Sequence, residues 1–185
     1  MKRRWILLAV LGPMACACRA DDYCSYKNSS QLVWNKAFTA SIHAFFGNQR
    51  SSYFGSDAKL SEVALEGLGG PPNDLMPLGK NLVLVSACRV HDCQEKAAAI
   101  IACPSTILAV GIIHRDIFDL NKSFPHVAGV TLGIVTIFVS DHNPKQLGLS
   151  TLEAWGKDQT ERYGESHGVE YRSQSNNRIE RTREP

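Results

Sequence analysis

The residues best suited to chemistry crowd into one stretch, Val85–Ala98, which reads VSACRVHDCQEKAA. Cys88 and Cys93 enclose Arg89, Val90, His91 and Asp92. Four kinds of chemistry fit these residue types. Cys88, His91 and Cys93, joined by the later Cys103, would form a nitrogen and sulfur set suited to zinc. A Cys88 thiolate beside His91 would make a nucleophile and a base. A Cys88–Cys93 bridge would make a structural staple. A rigid loop carrying a histidine would also serve as a hydrogen-bonding probe for another protein's cleft. Spacing weighs against the first two. A single residue between His91 and Cys93 is too few for the usual zinc pattern, and no activating context for a cysteine nucleophile is visible. On pattern alone the plain reading is a staple whose polar residues are solvated.

The compartment decides what the sulfur does. The chain opens MKRRWILLAVLGPMACACRADD. Lys2, Arg3 and Arg4 precede a short apolar run, Trp5–Leu11, which Pro13 ends before a set of small residues. This is the pattern of a secretory signal peptide, with the cut expected after Ala20. The run is far shorter than the roughly 20 residues that span a bilayer, so no stable membrane insertion is expected. Lipid attachment at Cys16 or Cys18 is a weaker alternative, because Pro13-Met14-Ala15 is a poor lipoprotein signal. Removing residues 1–20 takes away Lys2, Arg3, Arg4 and Arg19, which leaves 16 basic against 18 acidic residues and a net charge of −2. The basicity of the whole chain belongs to its leader. No clustered basic surface of the kind nucleic acid requires is evident. The four cysteines beyond the leader are Cys24, Cys88, Cys93 and Cys103. An even count in an exported chain favours disulfides. Of three possible pairings, Cys88–Cys93 with Cys24–Cys103 is the most natural, because the first closes a short local loop.

The loop must be held by regular elements. SSQLVWNKAFTASIHAFFGNQ predicts one helix, capped by Ser29 or Ser30, with Trp34, Phe38, Ile42 and Phe45 as its core stripe and Gly47 as its end. His43 beside that stripe reads as a partly buried histidine. Residues 55–80 are rich in Gly, Pro and Asn and read as a loop with a short helix over Leu60–Leu65. Gly69-Gly70 is not a phosphate loop, since no strand precedes it directly and no Lys-Ser or Lys-Thr follows. NLVLVSAC predicts a strand, AAAIIACPSTILAVGIIH two strands about a Pro104-Ser105 turn, and AGVTLGIVTIFVSD a further strand. LSTLEAWGKDQTERYG predicts an amphipathic helix with Ser150 as cap and Leu152 and Trp155 inward. The domains expected are a leader over 1–20, one globular domain over 21–164 and a flexible polar tail over 165–185. The fold class expected is α+β, an antiparallel sheet packed against helices, with the Cys88–Cys93 loop protruding from a hairpin.

The segment SACRVHDC resembles the signature loop of the Ivy family, exported protein inhibitors of vertebrate-type lysozyme, in which the loop reads Cys-Lys-Pro-His-Asp-Cys. Ser86, Ala87, Cys88, His91, Asp92 and Cys93 match, and Arg89 keeps a positive charge. Val90 stands where the family has proline. NKAFTASIHAFF and KAAAIIACPSTILAVGII are similar to the family's early helix and to its strand pair after the loop. The resemblance covers residues 30–140, and Cys24, Cys103 and the tail lie outside the pattern.

The resemblance implies a non-enzymatic periplasmic inhibitor that needs no cofactor and no metal. It implies that Arg89, Val90, His91 and Asp92 contact c-type lysozyme or a related cell-wall-cleaving enzyme, with His91 entering the cleft and engaging its carboxyls. Arg89 would meet acidic groups on the cleft rim, and Asp92 would bond within the loop or orient His91. A homodimer is compatible with the family. Two other functions compete. One is a periplasmic immunity protein against a delivered peptidoglycan amidase or muramidase. The other, of a different class, is a small exported hydrolase using Cys88 or His91.

Overall fold

A computed structural model of the chain describes residues 21–115, 132–162, 166–173 and 179–182. The expected leader over 1–20 lies outside the described residues. A short 3-10 turn, Tyr23–Ser25, leads into α1 (Ser29–Val33) and α2 (Lys36–Phe46). The two-stranded ribbon of β1 (Arg50–Ser51) and β2 (Ala58–Lys59) leads into α3 (Leu60–Leu68). Then come β3 (Met76–Gly79), β4 (Leu82–Arg89), β5 (Asp92–Ala102), β6 (Thr106–Arg115) and β7 (Leu132–Val139). Helix α4 (Leu149–Glu161), β8 (Ser166–Ser173) and β9 (Ile179–Thr182) complete the order. The class is α+β, as the sequence predicts. The seven strands β3 to β9 lie side by side in chain order. All neighbours are antiparallel except β7 and β8, which run parallel. Helix α4 supplies the crossover that a parallel pair requires.

The strands alternate their side chains between two cores, which explains their nearly continuous apolar sequence. On one face Val83, Val85, Ala97, Ala99, Ile101, Val110 and Ile112 meet Leu32, Phe38, Ile42, Phe46, Leu60, Val63 and Leu68 of α1, α2 and α3. On the other face Leu84, Ala98, Ile100, Val135 and Ile137 meet Leu149 and Leu152 of α4, with Trp155 packed at the margin.

Three expectations need correction. The early helix is broken in two, and its caps are Asn28 and Asn35, not Ser29 or Ser30. The Asn35 side chain accepts from the Ala37 and Phe38 amides at 2.8 and 2.9 Å, which starts a new helix and ends the old one. The break rotates Trp34 off the stripe. It is 86% exposed while Phe38 and Ile42 are fully buried. Next, the helix expected over Leu60–Leu65 runs to Leu68, because Ala64 and Leu68 continue the buried face. Last, the segment expected as a flexible tail over 165–185 supplies β8 and β9. A polar strand can order on a template, and the exposed edge of β7 gives β8 a row of backbone partners from Leu132↔Ser166 to Val139↔Ser173. Smaller differences concern caps and His43. Gly148, at φ 75°, is the N-cap of α4 in place of Ser150. His43 is exposed, and its Nδ1 lies 2.8 Å from the Ser61 hydroxyl.

Candidate functional site

Strand β4 ends at Arg89 and β5 begins at Asp92, and these two residues pair across the hairpin. Val90 and His91 are therefore a two-residue turn. His91, the second residue of the turn, adopts a positive φ of 68°, and Val90 does not. Histidine enters this region more readily than most non-glycine residues. Below the turn the register shifts. Cys88 pairs with Lys96, so Cys93, Gln94 and Glu95 are left over as a bulge. The Cys88–Cys93 disulfide, with a Cα–Cα distance of 4.7 Å, closes that bulge against β4. The expected protruding, disulfide-closed loop is present.

The four loop residues point to different places. His91 is exposed, and no described residue hydrogen-bonds its ring. Val90 is 50% exposed beside it. Asp92 turns back, its Oδ1 accepting from the Gln94 amide at 3.1 Å. Arg89 also turns back. Its Nε donates to Glu66 of α3 at 2.6 Å, its Nη1 donates to Glu95 of β5 at 2.5 Å, and its guanidinium lies 5.3 Å from the centre of the Phe54 ring. Glu95, the stronger influence, and Glu66 hold the guanidinium more firmly protonated than usual. Within the chain Arg89 pairs the carboxylate of the buried Glu95, which needs a partner in the interior.

Two close approaches seat the hairpin on α3. The Gly70 amide donates to the Cys88 carbonyl at 2.9 Å. A Cβ at Gly70 would stand 2.1 Å from that same oxygen, so no other residue fits without moving the chain. A Cβ at Gly67 would stand 2.9 Å from the Ala97 Cβ. Gly67 and Gly70 thus serve packing at the loop's base.

The sulfur chemistry is settled by pairing. Cys24 joins Cys103 with a Cα–Cα distance of 5.7 Å, and Cys88 joins Cys93, the pairing that the spacing suggests. Oxidised sulfur is neither a nucleophile nor a metal-binding thiolate. The zinc set of Cys88, His91, Cys93 and Cys103 is not assembled, since Cys103 lies at the far end of β5. Among the described residues no group of three His, Cys, Asp or Glu side chains has the arrangement of a metal site.

A second polar cluster escapes a sequence reading. His114 of β6 is buried under Tyr53, whose ring stacks on it at 3.7 Å with only 8° between the planes. Its Nε2 lies 2.9 Å from the hydroxyl of buried Thr136 on β7. Arg172 of β8 lies 5.7 Å from the Tyr53 ring centre and 5.9 Å from that of Phe138. Burial first, and the positive charge of Arg172 second, push the His114 pKa down to about 3, so the ring is neutral. Burial likewise raises the Tyr53 pKa. One sequence signal exists: His114 ends an otherwise apolar run. Its partners come from residues 53, 136 and 172, which only the fold brings together.

In comparisons with known proteins, no family model, no curated protein and no solved structure matches the chain.

Proposed function

We propose that the protein is an exported inhibitor of c-type lysozyme that plugs the enzyme's cleft with the Cys88–Cys93 loop, His91 foremost. One observation carries the reading. His91 and Val90 alone form the apex of the hairpin, while the charged residues on either side, Arg89 and Asp92, bond inward. The tip is narrow and carries a hydrogen-bonding imidazole without an opposing carboxylate in front of it.

A lysozyme cleft holds two carboxyl groups about the scissile bond. An imidazole donates from one ring nitrogen when neutral and from both when protonated, so it satisfies one carboxyl or bridges two. A carboxylate at the tip would be repelled there, and the inward bond of Asp92 removes that penalty. The disulfide and the backbone bond from Gly70 limit the loop's freedom beforehand, which lowers the entropy lost on docking. The resemblance of SACRVHDC to the Ivy loop supplies the target class, and the apex geometry supplies the means.

The test is a titration of c-type lysozyme activity with the oxidised protein and with His91→Ala. Stoichiometric inhibition that the variant loses supports the plug. Equal inhibition by the variant removes His91 from the mechanism. No inhibition by the wild type removes the target, and the same loop is then to be tried against peptidoglycan amidases and muramidases, as an immunity protein would require. The localisation that accompanies this reading is periplasmic. Intact mass of the exported protein should show a chain starting at Asp21 with no lipid.

A further inference from the structure

Arg89 occupies a place that a contact residue for a partner would not need. Its Nε and Nη1 engage two carboxylates from two different elements, Glu66 on α3 and Glu95 on β5. Its guanidinium also faces the Phe54 ring, which belongs to the segment joining β1 and β2. One side chain therefore ties together the hairpin, the helix behind it and the loop beside it. A planar fork with donors in fixed directions can hold two acceptors at once, whereas an ammonium is a point charge without that geometry. The carboxylates differ in kind. The Glu95 side chain is 8% exposed and that of Glu66 is 47% exposed. Glu95 needs Arg89 to be tolerated in the interior, while Glu66 fixes where on α3 the arginine rests.

The residues after Arg89 have little else to orient them. Val90 and His91 make the turn, and Asp92 bonds only one residue beyond its neighbour Cys93, to Gln94. The Cys88–Cys93 bridge closes the loop on itself but does not join it to α3. The Gly70–Cys88 hydrogen bond fixes the hairpin's base, one residue before Arg89.

We propose that Arg89 is a positioning residue, and that its Glu66–Glu95 clamp sets the direction in which the Val90–His91 tip leaves the body of the protein. The binding consequence rests on the plug reading; the positional one does not. The clamp makes the tip a rigid extension of α3 and β5. Loosening it lets the tip sample directions that do not fit a narrow cleft, which raises koff and leaves the diffusional encounter unchanged.

The experiment uses the full oxidised protein with Glu66→Gln and Arg89→Lys. Glu66 is half-exposed on a helix surface, so its variant folds even if Arg89→Lys does not. Backbone relaxation dispersion on the free protein reads motion at the Val90, His91 and Cys93 amides. Binding kinetics against c-type lysozyme, at low and high salt, read kon and koff. The expected result is tip motion appearing in both variants, with koff raised about 3- to 30-fold and kon and its salt dependence unchanged. Tip amides as quiet as in the wild type, in both variants, overturn the proposal without any partner present. A loss confined to kon, salt-dependent and seen with Arg89→Lys but not with Glu66→Gln, also overturns it and returns Arg89 to the rim. If the wild type does not bind lysozyme, the proposed target fails, and the relaxation data still decide the clamp.

Discussion

The two disulfides stand at the two ends of β5 and differ in what they enclose. Cys88 and Cys93 are five residues apart, and Cys24 and Cys103 are 79 apart. At about 3.3 Å per residue the two ends are roughly 30 Å from one another. The far bridge ties the 3-10 turn before α1 to the β5–β6 turn, where the Tyr23 amide also donates to the Pro104 carbonyl at 2.7 Å. Tyr23 is buried there against Phe38. This end joins distant parts of the chain to the helical core. The near bridge joins residues that the hairpin already holds together. Chain-entropy reasoning values the long loop at about 4 kcal/mol and the short one at about 2 kcal/mol. One bridge stabilises the domain and the other shapes a tip.

Removing the far bridge should break this contrast most strongly. Cys24→Ser with Cys103→Ser should lower unfolding stability by about 4 kcal/mol in a denaturant titration. The same pair should leave lysozyme inhibition by the folded fraction unchanged. A loss of affinity larger than the loss of stability would show that the two ends are not independent.

Acid should act on neither bridge but on the sheet between β6 and β8. The folded pKa of His114, about 3, lies below its ordinary value near 6.5. The folded state therefore resists a proton that the unfolded state accepts. The stability due to neutral His114 is present above pH 6.5 and declines as pH falls toward 3, by at most on the order of 5 kcal/mol. Thermal melts across that range should show stability falling with acid in the wild type and a flatter dependence in His114→Gln. An unchanged slope in the variant would place the acid sensitivity elsewhere.

At the tip the expected effects fall on binding. His91→Ala should cost about 2–4 kcal/mol of affinity for lysozyme, or roughly 30- to 1,000-fold, with unfolding stability unchanged because the ring is exposed. Isothermal titration alongside a melt separates the two quantities. Cys88→Ser with Cys93→Ser should show the smallest effect, a stability loss of about 2 kcal/mol or less with weaker binding by a folded protein. A domain that unfolds without this bridge would make the tip a staple after all, and the distinction between the two ends would be lost.

Much of this molecule was legible as periodicity. Val83, Leu84 and Val85 of β4 read as a strand, while Ala97 to Ile101 of β5 fit a helix equally well by propensity and read as a strand only because the run is short and bounded by turn signals. Pro104 and Ser105 announce the turn between β5 and β6. Leu152 and Trp155 announce the face of α4 that meets the sheet. Local patterns of this kind survive in sequence because each depends on neighbours a few residues away. Asn35 shows where such patterns mislead. A helical stripe from Trp34 to Phe45 ignores that an asparagine side chain competes for the backbone amides and starts the helix afresh, which leaves Trp34 in solvent.

The sequence by itself determined the apolar strands β4 to β7, the short Cys88–Cys93 loop and the place of His91 within it, since these follow from hydrophobic runs and short-range spacing. Only the tertiary structure decided the rest. A row of unpaired backbone groups on β7 drew a polar segment into the sheet as β8. The fold brings Glu66 of α3 and Glu95 of β5 to Arg89, partners that its place in the loop does not announce. His114 could be read as the end of an apolar run until Tyr53, Thr136 and Arg172 closed around it. In each case the deciding partner lies too far along the chain for spacing to report it, and burial makes the contact obligatory: a buried polar group must find a partner wherever the fold supplies one.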